Sequence, residues 1–342
     1  MKRQQNKKEE VYILLYTYIY IYKKMNAVEK YMFDLQGYIV LKNALSIEFI
    51  QELKNTLKHS TEQHTGTGAE IQGDANATKN SPLHWGKAWR DLLDIKAISD
   101  RLEDIIGNHK VRHARIEYAK KKNRNNLTSI LPTYRLDHIN VHTHVKNGFQ
   151  GGYLHGGWSG TLGYYRYHNN HMFNGMISVS VELYDTHPNG GGFICIPGSH
   201  KSNFEFPFEP NTARWHHNNN NMPPENCFIQ VPAKPGDVII FTEALTHGTA
   251  PWTSDAKRST IFYKYSPNAL TWSSDFFDPS EFLEYDDMDR RKISLLEAPN
   301  ARYGGRPTTP ILKRKKKKEH IANVQSINSN GTSNSNDNTS KL

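Results

Sequence analysis

Between residues 110 and 266 the apolar positions fall in short runs, and turn-forming residues separate them. Val111–Tyr118, Leu136–Val145, Met176–Tyr184, Phe193–Ile196, Phe228–Val231, Val238–Phe241 and Ser259–Tyr265 are rich in β-branched and aromatic side chains. They read as strands. The punctuation between them includes His187-Pro188-Asn189-Gly190 and Pro235-Gly236-Asp237, combinations that favour turns. Tyr38–Leu41 adds an earlier strand. A helix is predicted from Ser46, its N-cap, with Ile47, Ile50, Leu53 and Leu57 on one face. A second is expected over Lys96–Ile106, ended by Gly107, and a third over Pro279–Glu297. No internal repeat is present. Many short strands with such turns predict a mainly β fold, a sandwich or jelly roll with flanking helices.

Charge separates this core from its ends. The net charge is +9. Residues 1–24 carry six basic and two acidic side chains, and residues 309–342 carry seven and two, so residues 25–308 are formally neutral. A neutral core offers no field for tracking phosphates, and no nucleic-acid partner is expected. Val11–Tyr22 is an apolar run of 12 residues, short of the roughly 20 needed to span a bilayer. No membrane span is expected, and residues 1–24 read as a dispensable leader before a functional start at Met25. Residues 25–307 form the single expected domain. Residues 308–342 lack the apolar content to fold. Their Lys313–Lys318 run reads as a solvated charge run rather than a nuclear signal. The tail ends in Ser340-Lys341-Leu342, a tripeptide read by the peroxisomal import receptor, so a peroxisomal location is expected, and a cytoplasmic one otherwise. Two cysteines, Cys195 and Cys227, exclude a disulfide framework or a four-thiolate zinc site.

Most of the 17 histidines sit in polar stretches. Two differ. His155 lies in Gly151-Gly152-Tyr153-Leu154-His155-Gly156-Gly157-Trp158, and His247 precedes Gly248 and Thr249. Each stands at a strand edge beside glycine, where backbone can approach a bound ion. Arg258 follows His247 by 11 residues, on the next strand. Such a set suits a metal with a carboxylate ligand, because guanidinium binds carboxylate bidentately.

The order Gly37–Leu41, Leu154-His155-Gly156-Gly157, Gly192–Lys201, Pro235–Phe241, His247-Gly248 and Arg258-Ser259 resembles the phytanoyl-CoA dioxygenase family over roughly residues 30–275. The resemblance implies a double-stranded β-helix and an Fe(II)- and 2-oxoglutarate-dependent oxygenase. It implies iron ligands at His155 and His247, a 2-oxoglutarate anchor at Arg258, and a hydroxyl at Thr249 that helps hold the same carboxylate. His200, in Pro197-Gly198-Ser199-His200, is read as part of a structural turn. One departure stands out. The family's proximal motif is His-x-Asp, whereas Gly157 occupies its third position, and no His-x-Asp or His-x-Glu occurs in the chain. Three accounts remain open. Glu243, four residues before His247, completes the site; a chloride fills the gap, as in the related iron halogenases; or the site is defunct and the protein a binding module.

Alternation along Leu136–Val145 puts Ile139, Val141, Thr143 and Val145 on one face and His138, Asn140, His142 and His144 on the other. The second row is either a polar outer face or the wall of the cavity. In the latter case His142 and His144, with Trp158, contact substrate. Arg135 and Asp137 are placed to pair structurally. The expected activity is hydroxylation of a small molecule or a fatty-acyl substrate, the peroxisomal tripeptide favouring acyl chemistry.

Overall fold

The computed structural model describes residues 25–62, 81–106, 131–144, 149, 151, 152, 154–156, 163–204, 227–273 and 275–299. The expected strand Val111–Tyr118, the leader, the tail, Gly107, Val145, Gly157 and Trp158 lie outside them.

The first described element is helix α1 (Ala27–Gln36), not expected from the sequence. Its start is a capping box: the Asn26 side chain accepts from Glu29 N at 2.8 Å, and Glu29 Oε2 accepts from Asn26 N at 3.0 Å. Gly37 closes it in the left-handed region, φ 86°. Strand β1 (Tyr38–Leu41) follows, then α2 (Ile47–Glu62). Ser46 Oγ accepts from Phe49 N at 3.1 Å, as an N-cap does. Ile50, Leu53 and Leu57 are buried, but Ile47 is 63% exposed and faces solvent. Helices α3 (Lys87–Asp91) and α4 (Lys96–Ile105) complete this layer.

The expected helix over Pro279–Glu297 is two pieces, a 3₁₀ turn at Pro279–Phe282 and helix α5 (Arg290–Leu295). Each piece has its own cap: Asp278 Oδ1 accepts from Ser280 N at 2.9 Å, and Asp289 Oδ1 accepts from Lys292 N at 2.8 Å. Asp289 thereby takes an amide that a continuous helix would have used itself, and starts a second one.

The remaining strands are β2 (Tyr134–His144), β3 (Tyr165–His168), β4 (His171–Asn174), β5 (Ile177–Glu182), β6 (Gly192–Cys195), β7 (Ile229–Gln230), β8 (Val238–Thr242), β9 (His247–Ala250) and β10 (Arg258–Pro267). A five-stranded antiparallel sheet has the order β1-β8-β5-β10-β2, a three-stranded sheet the order β7-β6-β9, and β3–β4 is a separate hairpin.

The large sheet has two distinct faces. Ile139, Val141, Val179, Ile240, Ile261 and Tyr263 join the helices in the larger core. Tyr263 Oη donates to Trp89 O at 2.7 Å, and Tyr265 Oη to Leu93 O at 3.1 Å, tying sheet to helices. On the opposite face Tyr38, Ile239 and Phe241 pack with Phe193, Cys195 and Leu245 in a second, smaller core. The Phe193 and Phe241 rings lie 4.6 Å apart across the two sheets. The sandwich interior is therefore short of apolar filling at one end, where polar side chains take over.

His200 is structural. It is buried, its Nε2 donates to Asp34 O at 3.1 Å, and its ring stands edge-on to Tyr165. Because Nε2 carries the proton, the buried Nδ1 is an acceptor, and it has no partner. Burial, reinforced by Lys201, lowers its pKa from 6.5 to about 4. The unfolded imidazole binds its proton first, so this residue's contribution is complete above pH 6.5 and declines as pH falls toward 4. The loss is on the order of 3 kcal/mol. Urea unfolding at pH 7 and pH 4.5 should show a larger stability loss for the native chain than for His200→Gln. Equal losses would place the protonation elsewhere.

Candidate active site

The site forms where β8 turns into β9. The chain leaves β8 at Thr242, and Leu245 N returns to Thr242 O at 2.9 Å. That tight turn places Glu243 on one side of the bend and His247, the first residue of β9, on the other. His155 arrives on a separate segment and forms an antiparallel bridge with His247: each amide donates to the other's carbonyl at 2.8 Å. Gly156 permits the approach. It has φ +130°, and a Cβ there would lie 2.2 Å from Leu245 O. The His155 and His247 rings consequently face each other with centroids 4.2 Å apart.

One ligand atom from each of His155, Glu243 and His247 lies within 4.8 Å of the others. Among the described residues this is the only group of three such side chains. His247 Nδ1 donates to Leu245 O at 2.7 Å, which fixes the tautomer and leaves Nε2 with its lone pair. Nε2 lies 3.7 Å from Glu243 Oε2. Phe241 packs on the His247 ring at 4.7 Å, and Phe193 at 6.0 Å. Burial first, then the neighbouring His155, lowers the His247 pKa to about 3, so the ring is neutral and ready to ligate.

Glu243 is held the other way. Burial would raise its pKa, but Lys264 above all, with the hydrogen bond from Ser178, outweighs that and keeps the carboxyl well below the usual carboxylate range. Lys264 Nζ lies 3.0 Å from Oε1, and Ser178 Oγ donates to the same oxygen. Oε2 is thus the oxygen turned toward the histidines. Two imidazoles and one ionised carboxylate form a donor set that fits a divalent metal of the iron type.

The wall beside this trio is the polar face of β5, β10 and β2. Thr260 pairs with Glu182 on one side and His142 on the other, and Lys264 with Ser178 and His138. The row His138, Asn140, His142 and His144 therefore lies on the face of Arg258, Thr260, Phe262 and Lys264, and not on the helix side. His142 stands edge-on to Phe262 at 5.5 Å, and His144 stacks on Phe149 at 4.0 Å. Arg135 Nη1 donates to Asp137 at 3.0 Å, the structural pair expected. The same carboxylate accepts from His138 Nδ1 at 2.8 Å.

Arg258 is 1% exposed. Its Nη2 donates to Glu182 Oε1 at 2.7 Å, while its buried Nε has no partner. It borders Gly192, where an added Cβ would lie 3.7 Å from Nε. Gly192 adjoins Phe193, the cross-strand partner of Thr249. The anchor and hydroxyl positions thus lie at one end of the sandwich. An orphaned donor on a buried guanidinium fits a carboxylate ligand. Ser180 Oγ, also buried and without a partner, lies between the two ends on the same face.

Glu182, Lys264 and Ser178 are functional-site neighbours not expected from the sequence. Their signal was present: Ser178, Ser180 and Glu182 alternate with Ile177, Val179 and Val181, and Lys264 sits between Tyr263 and Tyr265. In strands buried on both sides, a charged residue at alternate positions marks a polar interior.

The fold and this site define a double-stranded β-helix oxygenase with iron and an oxoacid as its cofactors. Residues 33–260 match the family described as Phytanoyl-CoA dioxygenase (PhyH), and the chain belongs to it: it is a 2-oxoglutarate-dependent dioxygenase that uses Fe(II) and 2-oxoglutarate. Among solved structures it is similar to HygX from Streptomyces hygroscopicus with nickel and 2-oxoglutarate bound, at 20% identity and TM-score 0.53, covering 72% of this chain and 89% of that one. The iron-bound form of HygX gives 19% identity and TM-score 0.52 over the same shares. No curated protein matches the chain. No helix among the described residues is long and apolar enough to cross a membrane.

Gly156→Ala should disrupt the site through the backbone alone. The methyl collides with Leu245 O and the φ is strained, a cost on the order of 1–3 kcal/mol. Thermal unfolding should register that loss, and Mn(II) titration should show weakened binding as His155 is pushed off His247. Unchanged Mn(II) affinity would mean that the bridge does not position the ligand.

Proposed function

We propose that His155, Glu243 and His247 hold Fe(II), that Arg258 with Thr249 holds the distal carboxylate of 2-oxoglutarate, and that the protein hydroxylates a small polar molecule. The observation that carries this reading is the carboxylate of Glu243 beside both histidines. It supplies from the β8–β9 turn the anionic ligand that Gly157 cannot supply, and so favours a hydroxylase over the halide-filled and defunct accounts.

When bound, iron with 2-oxoglutarate and O₂ supplies the oxidising power to attack an unactivated C–H bond. The chain's own residues do the positioning. The Leu245 carbonyl aims His247 Nε2, and Lys264 and Ser178 hold Glu243 Oε1 so that Oε2 faces the metal position. Phe193 and Phe241 exclude water behind His247.

The wall supports a polar substrate. His138, Asn140, His142 and Lys264 are half-buried on the site's face. An alkyl chain laid over this wall would displace water from polar side chains and offer them no hydrogen bonds, an unfavourable exchange. The fatty-acyl alternative rests on the peroxisomal tripeptide alone.

Anaerobic Mn(II) and Fe(II) titrations test the ligand set. Glu243→Ala, His155→Ala and His247→Ala should each weaken metal binding at least about 100-fold, a loss above the 10–100-fold typical of outer-shell changes. Gly157→Asp should give no gain, since the carboxylate position is filled. Tighter binding in Gly157→Asp with full binding in Glu243→Ala would instead support the open or halide-filled site.

A further inference from the structure

The anchor Arg258 already has a carboxylate on it. Glu182 Oε1 lies 2.7 Å from Arg258 Nη2, and Glu182 Oε2 accepts from Thr260 Oγ1 at 2.7 Å. Each oxygen of this buried carboxylate therefore accepts one hydrogen bond, from the guanidinium and from a hydroxyl of the same strand face. Those are the two kinds of group that would receive the distal carboxylate of an oxoacid. We infer that Glu182 is a specificity-determining residue for the co-substrate: a resident counter-ion that opposes the second carboxylate of 2-oxoglutarate at Arg258 and sets its affinity low.

This inference rests on the assignment of Arg258 as the anchor. Three features separate an opposing role from simple tethering. Glu182 takes only Nη2, leaving Nε buried and without a partner, whereas a carboxylate that served to fix the guanidinium would take two nitrogens of its fork. The pair is sealed from water, with Glu182 and Arg258 each 1% exposed, so charge repulsion there is poorly screened. A guanidinium has five donors, so a ligand can dock on the free nitrogens, but two carboxylates then share one positive charge. A neutral carboxamide suffers no such repulsion. Its oxygen can accept from Arg258, and its NH₂ can donate to Glu182.

The test is calorimetric titration of the Mn(II)-loaded protein, without O₂, using 2-oxoglutarate and its distal amide, 2-oxoglutaramate. The native chain should prefer the dianion over the amide by less than about tenfold. E182Q removes the charge at constant shape. It should bind 2-oxoglutarate at least about tenfold more tightly than the native chain and raise the preference for it over the amide by a similar factor. Equal or weaker 2-oxoglutarate binding by E182Q would overturn the inference. So would a native preference for the dianion above about 100-fold, which needs no variant to fold. Arg258→Ala distinguishes the two layers. Loss of 2-oxoglutarate binding there, with E182Q unchanged, overturns only the role of Glu182, whereas retained binding overturns the anchor itself and this inference with it.

Discussion

A charged group can be buried in a sandwich only if an opposite charge is buried with it. That constraint shapes the inner face of the large sheet. Glu243 is matched by Lys264 and Glu182 by Arg258, each pair bridging strands that are neighbours or next-neighbours in the sheet. Removing one member of such a pair strands the other in a low-dielectric interior, which costs more than the pair contributes when intact. The two pairs stand apart on the inner face of β10, one at its first residue, Arg258, and the other at Lys264. The helix-covered face of the same strands carries apolar and tyrosine side chains into the larger core, and its Thr143 and Ser259 hydroxyls bond to each other.

This division is what the proposed ligand set relies on, with Gly157 at the family's usual carboxylate position. A facial set needs two imidazoles and an anion converging from one side; it does not need them in a fixed chain order. In the proposed ligand set the anion is Glu243, four residues before His247, on a turn closed by Thr242 and Leu245, with Lys264 from β10 on its other oxygen. The bond from His247 to Leu245 O ties that same turn to the imidazole. Ligand and carboxylate are thus set by one short segment, and His155 needs only the two-bond bridge to join them.

Much of this was legible in the sequence, for identifiable reasons. The strand runs are short and bounded by turn residues, so β2, β5, β6, β8 and β10 were readable from composition. His155 and His247 stood out because glycine follows each, and Glu243 because it precedes His247 by one turn of chain. What failed to show was set by distant contacts. Lys264 and Glu182 lie in apolar strands, and only the pairing of β5 with both β10 and β8 reveals that their charges meet Glu243 and Arg258. The segment after Pro279 has apolar residues at helical spacing, yet Asp278 and Asp289 cap two separate pieces. Helix α1 had its own signature in Asn26, Glu29 and Gly37, masked by its place just behind an unusual leader. Ile47 fitted the apolar periodicity of α2 but stands in its first turn, beyond the reach of the core.

The central claim is that Glu243 supplies the carboxylate of the metal centre. An anaerobic crystal structure of the Fe(II)- and 2-oxoglutarate-loaded protein tests it most directly. The account predicts a Glu243 oxygen in the coordination sphere with His155 and His247, and Lys264 still on the other oxygen. A chloride or water in that position, with Glu243 turned away to Lys264 alone, would contradict it.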